Sequence, residues 1–165
     1  MRAKPTLPEN RRGLRLALCA AAALAAAPLL VAADNPAAVP TQEFKGKVVP
    51  LAGVLEKFGS RLDPDAAATW LALAGDDGKV YPLIKDDGAR MFYLDKALLN
   101  RPMRLTGRLL PGSQLLQVLA VHSYVKGELC EVYYWCDICS IRRNEKKVCE
   151  CCGGPMELRE VPVKK

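Results

Sequence analysis

Trp70-Leu71-Ala72-Leu73-Ala74-Gly75-Asp76-Asp77-Gly78-Lys79-Val80-Tyr81-Pro82-Leu83-Ile84 is the stretch on which the fold class turns. Two short apolar runs, Trp70 to Ala74 and Lys79 to Ile84, flank Asp76-Asp77-Gly78. Asp bonds its own backbone and Gly takes positive φ without steric cost, so the trio predicts a tight turn and the stretch a β-hairpin. Further strand signals lie at Glu43 to Leu51, Met103 to Leu110 and Leu115 to Val125, the last two separated by the turn residues Pro111-Gly112-Ser113. Gly88 to Leu99, with apolar Met91, Phe92, Leu94 and Leu98, predicts the single short helix. Residues 50–69 fit less well. Leu51, Val54, Leu55 and Phe58 have helical spacing, but Gly53, Gly59 and Pro64 interrupt it, so the segment reads as an insertion with at most one helical turn.

Three strands, a helix and two further strands is the order of the OB-fold, a five-stranded partly open barrel. The expected fold is therefore mainly β: a five-stranded OB-like barrel with one short helix over residues 43–126. On the Asp76-Asp77-Gly78-Lys79-Val80-Tyr81-Pro82-Leu83 hairpin and the Met103-Arg104-Leu105-Thr106-Gly107-Arg108-Leu109 strand, this part resembles small exported bacterial OB-like modules. The resemblance implies a binding role, since OB-folds hold single-stranded nucleic acid or sugars on aromatic platforms. Trp70, Tyr81, Phe92 and Tyr93 are the candidate platform, and packing in the barrel core is the competing and favoured role for them. His122, the only histidine, has no partner that the sequence places beside it, and the acidic pairs Asp76-Asp77 and Asp86-Asp87, with Asp63-Pro64-Asp65, read as turns.

An apolar content of 50%, a charged content of 25% and a mean hydropathy of +0.02 exclude a disordered chain, a fibre and a multi-span membrane protein. The formal charge of +6 divides unevenly. Five of the 24 basic residues and one of the 18 acidic ones lie in the first 33 residues, leaving 19 against 17, a net +2. So small a charge gives no drive toward a phosphate backbone, and nucleic acid is not an expected partner.

The uneven share has its own meaning. Arg11, Arg12 and Arg15 precede an uncharged Ala- and Leu-rich stretch, Leu16 to Ala33, ending in the small residues Val31-Ala32-Ala33. Residues 1–33 are expected to be a secretory signal, cleaved before Asp34 and taking Cys19 with it. Asn10-Arg11-Arg12-Gly13-Leu14 resembles a twin-arginine signal, which implies export of an already folded protein to the periplasm or beyond, although Arg15 and Leu16 depart from that pattern. Eighteen weakly apolar residues broken by Pro28 fall short of a span of about 20, so no stable membrane span is expected after cleavage. Residues 34–42, with Pro36 and Pro40, read as a flexible leader.

Six of the seven cysteines lie between Cys130 and Cys152. Cys136/Cys139 and Cys149/Cys152 form two Cys-x-x-Cys hooks, each tight enough to aim two sulfurs at one ion. Gly153 after the second hook supplies the positive φ that a knuckle needs. Residues 127–165 resemble a short zinc ribbon, departing from the pattern at Ser140, where a Gly is expected. The resemblance implies a small C-terminal zinc-ribbon-like hairpin, with zinc on Cys136, Cys139, Cys149 and Cys152. A rubredoxin-like iron site is the less favoured metal. Ser140 to Val148, rich in Arg and Lys, reads as a solvated hairpin of ordinary surface charge, and Tyr133, Tyr134 and Trp135 as packing the ribbon against the barrel. Cys130 and Cys151 are left over, to pair as a disulfide, to stay free, or to compete for the metal. Three disulfides and no metal is the rival arrangement in an exported protein.

No Ser-His-acid set, phosphate loop or catalytic carboxylate pair can be assembled from these residues. The expected function is a non-enzymatic exported module that binds an unknown protein or small ligand at the barrel. The alternative class is an envelope redox or metal-handling protein, prompted by Trp135-Cys136-Asp137-Ile138-Cys139, which resembles the Trp-Cys-x-x-Cys of thioredoxin-like enzymes.

Overall fold

Phe44, Gly46 and Val48 are buried while Glu43, Lys45 and Lys47 face solvent, the alternation of a strand with one face on a core. That strand, β1 (Gln42–Pro50), lies mid-sheet, antiparallel to β2 (Leu71–Gly75) on one side and to β4 (Pro102–Leu109) on the other. The computed structural model describes residues 39–164. The expected signal sequence and the leader as far as residue 38 lie outside them. Among the described residues no helix is long and apolar enough to cross a membrane.

The hairpin predicted at Asp76-Asp77-Gly78 forms between β2 and β3 (Val80–Pro82). Gly78 has φ of 79°, Asp77 Oδ1 accepts the Lys79 N–H at 3.1 Å, and Tyr81 donates its hydroxyl to Asp77 at 2.5 Å. The predicted helix resolves into α3 (Arg90–Leu94) and a 3-10 turn, Lys96–Leu98, capped by Asp95. Residues 50–69 hold two helices, α1 (Leu51–Glu56) and α2 (Pro64–Thr69), and not a single turn. Asp63-Pro64, expected as a turn, instead starts α2. Asp63 Oδ1 accepts the Ala66 N–H at 2.9 Å, and proline sits where its missing N–H costs nothing.

Mainly β is what forms, but not a closed five-stranded barrel. With β5 (Leu116–Val125), β6 (Glu128–Cys136), β7 (Ile141–Arg143) and β8 (Glu157–Pro162), the described strands make one open antiparallel sheet of eight, in the order β3-β2-β1-β4-β5-β6-β7, with β8 on the other edge of β6. β3 is three residues long, and the chain just beyond it meets β5 (Leu116–Val125) at one isolated parallel bridge, Leu83–Leu116, where the Ile84 N–H bonds the Leu116 carbonyl at 3.0 Å. β5 meanwhile runs on for ten residues and pairs its last four with β6 (Glu128–Cys136). A register shift against Thr106/Gly107 places one extra residue, Leu119, in β5, which moves the buried set from Leu116 and Val118 to Val121 and Ser123.

The expected border at 126/127 falls on the two-residue turn of the β5–β6 hairpin, where Lys126 and Gly127 have φ of 51° and 85°. The cysteine-rich segment thus continues the sheet through β6, β7 (Ile141–Arg143) and β8 (Glu157–Pro162). β6 buries Cys130, Val132, Tyr134 and Cys136 in strict alternation. Of the three aromatics expected to pack the hook segment, Tyr134 alone joins the same core as Phe92, Leu98 and Met103, whereas Tyr133 and Trp135, on alternate positions of the strand, lie half-buried on its other face, edge to face with ring centres 6.3 Å apart.

Tyr134 also donates its hydroxyl to Asp95 Oδ2 at 2.7 Å, the one buried side-chain pair that ties β6 to the loop after α3. Burial alone would raise the Asp95 pKa, but the Tyr134 hydroxyl, the Ala97 N–H and the Lys146 ammonium hold it below the ordinary carboxylate value. Tyr134→Phe is expected to cost about 2 kcal/mol, because it leaves a buried carboxylate short of a donor. A group with a depressed pKa stabilises above its unfolded value and loses that contribution as pH falls through the folded one. The gap between wild type and Tyr134→Phe in urea unfolding is therefore expected to be full at pH 6 and to close below about pH 4.

Candidate metal centre

The first hook begins on the last residue of β6 and the second lies between the isolated bridge Val148–Pro155. The two are built alike. The Ser140 N–H bonds the Cys136 carbonyl at 2.8 Å, and the Gly153 N–H bonds the Cys149 carbonyl at 2.8 Å. Each hook closes on a left-handed residue, Ser140 with φ of 52° and Gly153 with φ of 69°. The positive φ expected at Gly153 is present, and Ser140 adopts it despite the side chain that set this position apart from the ribbon pattern. A non-glycine residue there costs about 1–2 kcal/mol, and glycine returns some of that in unfolded-chain entropy. Ser140→Gly is expected to raise stability by about 0.5–1 kcal/mol, measured by denaturant unfolding of the metal-loaded chain.

In this geometry the sulfur atoms of Cys136, Cys139, Cys149 and Cys152 all lie within 4.8 Å of one another, with Cys136 and Cys152 Sγ at 3.5 Å. A disulfide would need about 2.05 Å. A tetrahedron with metal–sulfur bonds of about 2.3 Å has edges near 3.8 Å, so the donor set fits one tetrahedral ion. Cys136 and Cys149 are buried, Cys139 is half-buried and Cys152 is exposed.

The surroundings act unequally on the thiols. Cys149 is drawn down to about 6, first by the Cys152 N–H and then by that of Cys151. The equivalent N–H groups of Cys139 and Ile138 act on Cys136, but burial and the thiols of Cys152 and Cys149 outweigh them, and its net shift is upward. The Cys139 thiol is pushed up, first by Cys151 and then by Cys152. With no ion present, Cys149 is the first of these to ionise, and ligation then requires the others to release their protons.

The segment between the hooks has no buried residue, in keeping with the solvated stretch expected, but it is not free of the rest of the chain. Its charges pair within the chain: Lys146 with Asp95 at 3.4 Å, Glu145 with Arg90 at 3.2 Å, Arg142 with Glu131 at 2.6 Å and Arg143 with Glu150 at 3.4 Å. Asn144 also bonds Asp87 at 3.2 Å, so residues 144–146 dock on the segment around α3. These supporting residues escaped the sequence reading. No local pattern signals them, since their partners lie more than 50 positions away.

Cys130 and Cys151 do not come together. Cys130 is buried six residues before Cys136 on an extended strand, about 20 Å back, whereas Cys151 is exposed in the second hook. A disulfide needs Cα atoms about 4.4–6.8 Å apart, so neither their pairing nor a ligand role for Cys130 survives. His122 is half-buried with Nδ1 unbonded, and burial, then Arg104, lower its pKa. It pairs across to Glu131, five residues from the nearest hook. Of the candidate platform, Tyr81 and Phe92 are buried in the core. Trp70, 46% exposed, and Tyr93 line a cavity of ≈ 380 Å³ with Leu83, Ile84 and Lys85, the Lys85 ammonium lying 5.1 Å from the Tyr93 ring centre.

No protein family, curated protein or solved structure matches the chain in comparisons with known proteins.

Proposed function

We propose that this chain is an exported, non-enzymatic binding module, an OB-like curled sheet whose far end is held together by one structural zinc ion on Cys136, Cys139, Cys149 and Cys152. The convergence of four sulfurs within 4.8 Å, on two hooks with the same backbone bonds, carries the reading. Zinc is preferred to iron because it holds four thiolates without redox chemistry of its own. Bound there, it would cross-link β6 to the segment that returns as β8. The OB-like reading is supported by β1 pairing with both β2 and β4 and by the contact of the chain just beyond β3 with β5 at Leu83–Leu116. The aromatic-walled cavity at Trp70 and Tyr93 is the surface for the protein or small ligand. Export is supported by the arginine-led Ala-rich stretch of residues 11–33.

Elemental analysis of chain purified without a metal-binding tag tests the site. About one zinc per chain is expected. A metal-free, fully folded chain with disulfides linking the hooks would overturn the reading. The envelope redox alternative draws on the exposure of Cys152 and Cys151, and it requires the chain to reduce a disulfide substrate such as insulin. Against it, Cys136 is buried at the end of a strand and opens a turn, without the helix N-terminus that activates the first thiol of thioredoxin-like enzymes.

A further inference from the structure

Among the described residues β8 pairs with β6 alone, from Cys130–Pro162 to Trp135–Glu157, and no strand lies on its other edge. The Val163 N–H bonds the Leu129 carbonyl at 2.9 Å, so the alternate residues Val161, Arg159 and Glu157 turn their backbone groups to β6. The N–H groups of Leu158 and Glu160, and the carbonyls of Leu158, Glu160 and Pro162, therefore point away from the sheet. Such an edge is a template for another strand unless charge or proline blunts it. Here the charges are engaged within the chain: Glu160 by Arg101 and by the Ser123 hydroxyl at 2.6 Å, and Arg159 by Asp137 at 2.7 Å and Glu157 at 3.3 Å. Pro162 lacks only the N–H and keeps its carbonyl.

A strip of apolar side chains reaches the same edge. Residues directly opposite one another share a face, so Tyr124, opposite Leu129, and Val163, bonded to Leu129, form one row on the face away from the core, with Val161 beside them. Tyr124, Val161 and Val163 are exposed, and Tyr124, Leu129 and Val163 wall a cavity of ≈ 520 Å³. We propose that a second copy of this chain covers edge and strip, β8 pairing antiparallel with β8 about a twofold axis at Val161. Charge and occupancy select that register. Centred on Arg159 or Glu160, the pair sets like charges directly opposite, which is destabilising. Centred on Leu158, it runs the second strand past Pro155 and Gly154, where Val148 bridges Pro155 and the Cys149 N–H takes the Gly154 carbonyl at 2.8 Å. Centred on Pro162, it has no donor at the axis. Centred on Val161, it brings the two Val161 side chains together and gives each Glu160 N–H the Pro162 carbonyl of the other copy. Each Leu158 then pairs with the other copy's Lys164, and the two apolar strips become one across the axis. The contact needs neither the ion nor the aromatic cavity.

Sedimentation equilibrium of the purified chain tests this, with Val161→Asp, Val161→Lys and Phe58→Asp beside wild type. One strand pair and an apolar strip make a small interface, so wild type is expected to dimerise at about 0.1 mM. Val161→Asp and Val161→Lys each set like charges face to face at the axis and are each expected to weaken association at least about fivefold. An equal mixture of the two sets opposite charges there and is expected to associate at least as well as wild type. Phe58→Asp removes another exposed apolar side chain, after α1, and is expected to leave the dimer intact. Should one Val161 variant not fold, by far-UV circular dichroism, the other still reads the loss. A monomeric wild type at that concentration, a folded Val161 variant that associates like wild type, or a mixture no better than its parts overturns the proposal. Equal weakening by Phe58→Asp overturns it too, because association would then follow exposed apolar surface and not the edge.

Discussion

Cys136→Ser is expected to leave the chain without zinc and its C-terminal end open to protease, with new cleavage sites between residues 137 and 156. Two losses coincide at this position. Cys136 is one of two buried sulfurs in the proposed ligand set, and it is also a member of the hydrophobic core, beside Tyr134 and Met156. Structural zinc contributes about 10–16 kcal/mol of apparent binding free energy, comparable with or larger than the roughly 5–15 kcal/mol net stability of a whole domain. Apart from the buried Cys149 and Met156 the second hook has little else to hold it, since its isolated bridge, Val148–Pro155, and its backbone bonds close it only on itself. Limited proteolysis with mass spectrometry, alongside zinc quantitation, checks both parts. A Cys136→Ser chain as protease-resistant as wild type would show that packing, not the ion, holds the segment.

Gly46→Ala is expected to be strongly damaging, far from the metal site. A Cβ at this position would lie 2.2 Å from the Ala74 carbonyl oxygen and 2.9 Å from the Gly75 Cα, all backbone atoms of β2. No rotamer relieves a clash with a hydrogen-bonded neighbour strand. Because β1 is paired on both sides there, with Gly75 and with Met103, relief means separating the sheet at its centre. The cost is on the order of 3 kcal/mol or more, a fall in Tm of roughly 10–15 °C. Gly53→Ala is the control. It lies within α1 with nothing inside 4 Å, and there alanine is expected to stabilise by about 0.5–1 kcal/mol. A calorimetric scan of the three proteins reads the opposite signs.

The five strand signals and the hinge of the Asp76-Asp77-Gly78 hairpin were legible because each is a local matter of β-branched or apolar runs and turn chemistry. The hooks were legible for the same reason, with spacing alone carrying the geometry of two adjacent sulfurs. What the sequence hid is what several distant residues decide together. Barrel closure depends on how far β3 extends beside β5, and a three-residue strand cannot form a closing ladder. The docking of residues 144–146 depends on Asp87, Arg90 and Asp95, more than 50 positions earlier for the Asn144 and Glu145 contacts. β6 was written in the sequence, as alternating Cys130, Val132, Tyr134 and Cys136, but cysteines taken as ligands conceal a hydrophobic alternation. The second helix was hidden in Asp63-Pro64, which suits a turn and a helix start equally well.

Residues 144–146, pinned to Asp87, Arg90 and Asp95, give the chain a mechanical property that neither hook has alone. The loop between the hooks has little freedom left, so opening the tetrahedron pulls on the segment that carries Phe92 into the core. Were the proposed ion bound and then lost, the disturbance would reach the packing of the sheet through these contacts. On the proposed zinc reading, cooperativity would become a property of loading: the filled chain is expected to melt as one body, and the emptied one to fray from its last 30 or so residues inward, as units of unequal stability do.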